Sequence, residues 1–342
     1  PYGVPAAEVF RSRELGYRMR AEFRVWHDGD ALDYVMFRPE DRKTPVPITD
    51  FPIACDAIRS LMPELITRLR AQPMLRRKLF QIEFLSTLRG DTLVTLVYHR
   101  RLEDDWEASA TELASLLGIS IVGRSRRQKR VVGRDYVVEE LPINEGSFRY
   151  RHYEQAFTQP NALVNTDMIE WACRQAGGLP GNLLELYCGN GNFTLPLAAC
   201  FREIIATELS KSSVRAAREN LELNGIDNVE IIRLSAEEVS QAMTGEREFR
   251  RLAQLPRALP EYNLQSLFVD PPRAGLDDAT VQLAAGFPAI IYISCNPETL
   301  AANLAVLCDT HSPQAFALFD QFPYTDHMEC GVLLIQRRTL PT

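Results

Sequence analysis

The sequence holds no run of apolar residues near the roughly 20 that a membrane-crossing helix needs; its apolar runs, such as Ala289 to Ile293, have the length of a buried strand. No charged-then-apolar leader opens the chain, and a cytoplasmic protein with no membrane partner is expected. Cysteine is present but never grouped. Cys55, Cys173, Cys188, Cys200, Cys295, Cys308 and Cys330 form no C-x-x-C pair and no cluster with histidine at zinc or iron–sulfur spacing, so no metal is expected. Their odd number argues against a disulfide framework. Internal repeats and low-complexity tracts are also missing. What remains is 342 residues, 46% hydrophobic and 24% charged, which is enough for two ordinary domains with separate cores.

Overall positive charge is lacking too: the net charge is −7, unfavourable for a protein that must hold phosphates. The deficit is uneven. Residues 1–150 carry 24 basic and 22 acidic side chains, whereas residues 151–342 carry 14 and 23. A nucleic-acid surface therefore belongs to the N-terminal part, where basic residues gather at Arg18, Arg20 and Arg24, at Arg76, Arg77 and Lys78, and from Arg124 to Arg130. A solvated face is the plain alternative for any one of these clusters.

Alternation over 17–37 predicts strands joined by an Asp-Gly turn at 27–30. Further along, 53–70 and 107–117 have helical spacing, and 79–88, 92–98, 119–123 and 131–138 read as extended. This is a mixed α+β domain over 1–149, whose sheet can offer Arg24, Phe80 and His99 to unpaired bases. From 150 to 342 short apolar strands at 182–187, 203–207, 229–234, 265–269 and 289–294 alternate with helices near 163–176, 193–200, 211–224, 278–286 and 298–308. That alternation predicts an α/β domain with a parallel sheet, closed by an antiparallel pair at 315–321 and 330–336. The stretch 251–260 reads as a loop.

Four strand ends carry the chemistry. In L-L-E-L-Y-C-G-N-G-N-F-T, 183–194, a strand runs into a turn where Gly189 and Gly191 let backbone approach a ligand, with Tyr187 and Asn192 beside it. The spacing is not G-x-G-x-x-G, because Thr194 stands where the third glycine would be. Glu208, ending the next strand, is placed to accept hydrogen bonds from ribose hydroxyls. In F-V-D-P-P-R, 268–273, Asp270 ends a buried strand before a stiff turn, and Arg273 stands where amine methyltransferases carry an aromatic residue. In I-I-Y-I-S-C-N-P-E-T-L, 290–300, Cys295 ends a strand just before a helix, whose N-terminus is expected to lower its pKa. A thiolate there suits addition to carbon 6 of uracil, which makes carbon 5 nucleophilic. H-M-E-C-G-V, 327–332, supplies Glu329 as a base for the carbon 5 proton, with His327 as a competitor.

Through these segments, and through F-T-Q-P-N at 157–161, the chain resembles the RNA uracil-5-methyltransferase family. The resemblance extends into Y-R-M-R-A-E-F-R-V-W-H-D-G-D and K-L-F-Q-I-E-F-L near the N-terminus, which points to the branch acting on tRNA. It implies a Rossmann-like class I methyltransferase domain, with a mainly parallel seven-stranded sheet and an antiparallel C-terminal strand, preceded by a smaller α+β RNA-binding domain. It also implies S-adenosyl-L-methionine held by Gln159, Tyr187, Asn192, Glu208 and Asp270, with Cys295 as nucleophile and Glu329 as base. The implied substrate is the T-loop uridine of tRNA, position 54, with the matching loop of transfer-messenger RNA as a second, and the protein is expected to act as a monomer. A ribosomal-RNA uridine methyltransferase and a catalytically silent RNA-binding or chaperone protein are the alternatives.

Overall fold

The computed structural model describes residues 3–29 and 31–337. The chain forms two compact units, each interrupted in sequence. Arg13–Glu140 and Arg151–Ala162 make the N-terminal unit; the residues up to Ser12, Leu141–Tyr150, and Leu163 onward make the C-terminal unit. These bounds differ from the expected 1–149 and 150–342: the residues up to Ser12 and Leu141–Tyr150 go with the C-terminal unit, and Arg151–Ala162 with the N-terminal one. The first strand, β1 (Glu8–Phe10), is already part of the C-terminal unit.

The N-terminal unit consists of β2 (Arg20–Asp28), β3 (Ala31–Arg38), β4 (Asp41–Pro47), α1 (Asp56–Ala71), α2 (Pro73–Arg76), β5 (Leu79–Ser86), β6 (Thr92–Tyr98), α3 (Asp104–Leu117), β7 (Ser120–Ser125) and β8 (Gln128–Val132). Its sheet runs in the order β4-β3-β2-β5-β6-β7-β8. Every neighbouring pair is antiparallel except β6 and β7, which α3 connects as a crossover. The expected hairpin forms between β2 and β3, although Asp30 of its turn lies outside the described residues. Alternation in β2 buries Ala21, Phe23 and Val25 and leaves Glu22, Arg24 and Trp26 exposed. On the buried side Phe23, Tyr34 and Phe84 pack at ring distances of 5.3–6.2 Å, and Tyr34 donates its hydroxyl to the Met62 carbonyl at 3.0 Å.

The extended run expected at 131–138 is two strands. Gly133 turns the chain with φ of 82° after β8, and β9 (Tyr136–Ile143) then pairs with β10 (Gly146–Tyr153) as a separate two-stranded sheet.

The C-terminal unit continues with α4 (Ala162–Ala176), β11 (Asn182–Leu186), α5 (Thr194–Leu197), β12 (Ile204–Thr207), α6 (Lys211–Asn224), β13 (Val229–Ile232), α7 (Ala236–Met243), β14 (Leu264–Val269), α8 (Asp278–Ala285), β15 (Ala289–Ser294), α9 (Pro297–Leu307), β16 (His311–Phe319) and β17 (Glu329–Gln336). Strand order is β1-β16-β17-β15-β14-β11-β12-β13, parallel from β15 to β13 and antiparallel on both sides of β17. Among the described residues this sheet has eight strands rather than the expected seven. The extra strand is β1, which pairs parallel with β16 from Glu8↔Ala317 to Phe10↔Phe319. It covers an edge that would otherwise leave backbone groups unpaired. Phe10 stacks on Phe319 at 4.9 Å, and Glu8 accepts from Trp171 Nε1 at 3.0 Å and from Arg174 at 2.6 Å.

The sheet's middle is apolar. Leu184, Leu186, Leu267, Val269, Ile290 and Tyr292 are wholly buried, and each of the aliphatic ones contributes roughly 1.5–3 kcal/mol of burial energy. Close packing reaches the backbone at Gly331, where an added Cβ would come within 2.8 Å of the Trp171 ring. From β11 the chain proceeds one way to β12 and β13 and later the other way to β14 and β15. This reversal opens a crevice beyond the C-terminal ends of β11 and β14, the place where open α/β sheets bind ligands.

Candidate active site

Tyr187, Glu208, Asp270 and Cys295 each follow the last residue of a parallel strand, or nearly so, and all four therefore lie along this edge. Glu329 reaches it from the opposite direction, as the first residue of β17. The β15–β17 register ends at Ser294↔Cys330, so one step further Cys295 stands across from Glu329. Residues 34 apart in sequence thus become neighbours through one antiparallel ladder.

The loop after β11 is built for close approach. Tyr187, Gly189 and Gly191 all have positive φ, of 63°, 58° and 89°. A Cβ at Gly189 would meet nothing within 4 Å, so this turn borders open space. Glu208 organises that space from below: one carboxylate oxygen accepts from the Gly189 N–H at 3.2 Å and the other from the Ser210 N–H at 2.6 Å. Asn192 is fixed by a reciprocal amide pair with Asn165, 2.9 Å in each direction. Sequence reading missed Asn165, which sits in a helix with nothing to mark it.

The Cys295 turn is locked by its neighbours. Asn296 caps α9 by accepting from the Glu298 N–H at 3.0 Å, while its Nδ2 donates to the Arg273 carbonyl at 3.1 Å. Ser294 Oγ accepts from the Asn296 N–H at 3.2 Å, and Pro297 begins the helix. Asn296 thereby ties the Asp-Pro-Pro-Arg loop to the cysteine loop.

Electrostatics correct one expectation. The Cys295 thiol is pushed up to about 11, not lowered. Desolvation is the main cause, the carboxylates of Glu329 and Asp270 add to it, and Arg273 opposes it. Desolvation also raises Asp270 to about 7 and Glu329, only 4% exposed, to about 8. Behind them buried Glu185 is raised to about 8, by desolvation and then by Asp270. Arg273 turns its charge to this acidic group, lowering both Glu329 and Cys295, and its guanidinium lies 3.3 Å from Nδ1 of exposed His327.

Two groups of expected residues fall in the N-terminal unit. Gln159 is one, half-buried in the segment that returns after β10. The other is a stack: the Arg24 guanidinium lies 3.9 Å from the Phe80 ring centroid, and Phe80 lies 4.0 Å from the His99 ring at 27°. Arg24 and His99 are exposed, so the stack stands open and is not core packing.

A parallel sheet that reverses direction, with a glycine turn and acids at its strand ends along one edge, is the arrangement of a class I methyltransferase fold. The solved tRNA (uracil-54, C5)-methyltransferase of Pyrococcus abyssi has the same fold over 96% of this chain and 79% of its own, with a TM-score of 0.73 at 22% identity. The chain belongs to the tRNA (Uracil-5-)-methyltransferase family, whose model matches residues 1–337. It is 53% identical to the tRNA/tmRNA (uracil-C(5))-methyltransferase of Dechloromonas aromatica over 98% of this chain and 92% of that one. The protein of the same description from Ectopseudomonas mendocina is 56% identical with the same coverage.

Proposed function

We propose that this chain methylates carbon 5 of the T-loop uridine of tRNA, position 54, and of the equivalent loop of transfer-messenger RNA, with Cys295 as nucleophile and Glu329 as base. The observation that carries the assignment of roles is their juxtaposition across β15 and β17, at the edge that also holds Asp270 and the Gly189 turn. The Cys295 thiol gives up its proton to solvent; as thiolate its sulfur bonds to carbon 6, and the electron pair of the 5,6 double bond moves onto the ring as an enolate, making carbon 5 nucleophilic. S-adenosyl-L-methionine, when bound, supplies the methyl group. Glu329 then takes the carbon 5 proton; the pair from that C–H bond restores the double bond and the thiolate leaves. Glu329, raised to about 8, is matched to accepting a proton near neutral pH, and Arg273 favours the thiolate against two neighbouring acids.

The donor set fits S-adenosyl-L-methionine. Glu208 accepts from the Gly189 turn and suits ribose hydroxyls, Asp270 takes no hydrogen bond from the described residues, and Tyr187 and Asn192 belong to the same loop after β11. Gln159 is assigned to the cofactor through its F-T-Q-P-N motif. Arg24, Phe80 and His99 are assigned to the RNA, as a platform that takes the place of the extruded base. The protein acts as a monomer in the cytoplasm, a reducing compartment that suits its free cysteines.

Incubation with unmodified tRNA transcript and labelled S-adenosyl-L-methionine, then digestion and mass spectrometry, tests this reading. A 5-methyluridine confined to the T loop is expected. Methylation of ribosomal RNA alone overturns the substrate, and no transfer to any RNA overturns the activity.

A further inference from the structure

The basic residues of the N-terminal unit look alike in sequence, but the structure sorts them. Arg124 grips buried Glu154 with two bonds of 2.5 and 2.6 Å, Lys129 pairs with Asp135 at 2.7 Å, and Arg130 with Glu107 and Asp104 at 2.5 and 3.0 Å. Arg18 and Arg20 spend their guanidinium groups on the carbonyls of Arg20, Ala156 and Glu154. These cations are structural. Arg77, Lys78, Arg101, Arg126 and Arg127 differ: all are exposed, and their side chains have no hydrogen-bond or ion-pair partner among the described residues.

Strand pairing brings those five to one end of the sheet. Tyr98 of β6 pairs with Leu79 of β5, and Val97 with Arg124 of β7, so the segments 77–78, 100–101 and 126–127 all project from the same end. There they border two open clefts of about 760 and 970 Å³, and His99 lines both. The first also takes in Phe80; the second runs between Arg101 and the β7–β8 turn. The walls are braced. The Gln128 amide holds Leu102 at both its N–H and its carbonyl, at 2.8 and 2.6 Å, Ser125 Oγ donates to the Arg100 carbonyl, and Arg100 reaches the Arg77 carbonyl at 2.9 Å.

We propose that these two clefts form one phosphate track, in which Arg77 and Lys78 on one side and Arg101, Arg126 and Arg127 on the other hold the sugar–phosphate backbone of the RNA as it passes the Arg24–Phe80–His99 stack. Unpaired cations flanking an aromatic platform in a braced groove are what a nucleic-acid strand requires: stacking for bases, charge for phosphates, and little ordering to be done on binding. The inference rests on the RNA-methylating reading above and adds which charges touch phosphate.

The test is the salt dependence of binding to unmodified tRNA transcript. Three variants each empty one segment of the track: Arg77→Gln with Lys78→Gln, Arg101→Gln, and Arg126→Gln with Arg127→Gln. Arg130→Gln serves as comparison because its charge is committed to Glu107 and Asp104. Each phosphate contact contributes about 0.7–0.9 to the slope of log affinity against log salt. Each double variant is therefore expected to make the slope shallower by about 1.5, the single one by about half that, and Arg130→Gln not at all. Unchanged slopes in variants that keep the wild-type circular dichroism spectrum overturn the track. A variant that loses that spectrum leaves the other two segments to decide. If the wild type makes no 5-methyluridine, the proposed activity fails while the slope comparison still judges the track.

Discussion

Replacing Glu329 by glutamine separates the two halves of the proposed chemistry. Glutamine keeps the shape of the buried side chain but cannot take the carbon 5 proton, so methyl transfer proceeds and release of Cys295 does not. Loss of a general base costs about 10²–10⁴ in turnover, which is roughly 3–5 kcal/mol of barrier. Incubated with tRNA and S-adenosyl-L-methionine, the variant should accumulate a protein–RNA complex that survives denaturing gel electrophoresis. In the wild type Glu329 works as a carboxylate with its pKa raised to about 8 and acts after methyl transfer, so kcat, which includes the release step, should rise with pH through that region, and the variant should lose this limb. Stability should move in the opposite direction. A carboxyl raised from 4.5 to about 8 keeps its proton in the folded state while the unfolded chain loses it. Its contribution is therefore most favourable below the ordinary carboxylate value, declines as pH rises between the two values, and is level above 8. At one pKa unit per roughly 1.4 kcal/mol, Glu329→Gln should be more stable near neutrality by up to about 3 kcal/mol, a difference that fades toward pH 4.5 in urea titrations. A variant that turns over within tenfold of the wild type, keeps the pH limb and traps no complex would refute the assignment.

Cys295→Ala should abolish both turnover and the trapped complex, and should also abolish trapping when combined with Glu329→Gln; persistence of the complex would place the covalent bond elsewhere. Phe80→Ala should weaken tRNA binding by about 1–3 kcal/mol, the worth of one stacked base, with S-adenosyl-L-methionine binding by calorimetry unchanged. Gly331→Ala forces a Cβ to 2.8 Å from Trp171 and should lower the denaturation midpoint, at a cost of about 1–3 kcal/mol for overpacking.

Strands and helices with a clean apolar period were legible in the sequence. The residues 92–98, 211–224 and 289–294 are the same in expectation and structure, because each is long enough for its period to repeat and is bounded by turn chemistry. The elements that went unread were short or weakly patterned. β1 is three residues, exposed or half-buried, and exists because β16 offers an edge. β4 opens with four polar residues and ends on two prolines around Val46, and α7 lies where only the Ser235 capping box would have signalled a helix. Expected site residues separate in the same way. Tyr187, Asn192, Glu208, Asp270 and Cys295 stood in motifs at or just past strand ends, whereas Asn165 holds Asn192, and Asn296 reaches the Arg273 carbonyl, through long-range hydrogen bonds that no local pattern encodes.

The sequence by itself determined the chemistry available: which strand ends carry acid, glycine and thiol, which part is basic, and which family the motifs resemble. These are local properties, set by residue type and spacing. Only the tertiary structure decided what depends on the summed surroundings of a group. The Cys295 thiol was expected low from its helix and is pushed up instead, because burial, with the carboxylates of Glu329 and Asp270 beside it, outweighs the opposing charge of Arg273. Likewise Arg124 and Arg127 are the same residue three positions apart, yet one is consumed by buried Glu154 and the other stands free at the end of the sheet. Charge and desolvation act through space, so partners 30 residues away in sequence settle what the neighbouring letters cannot.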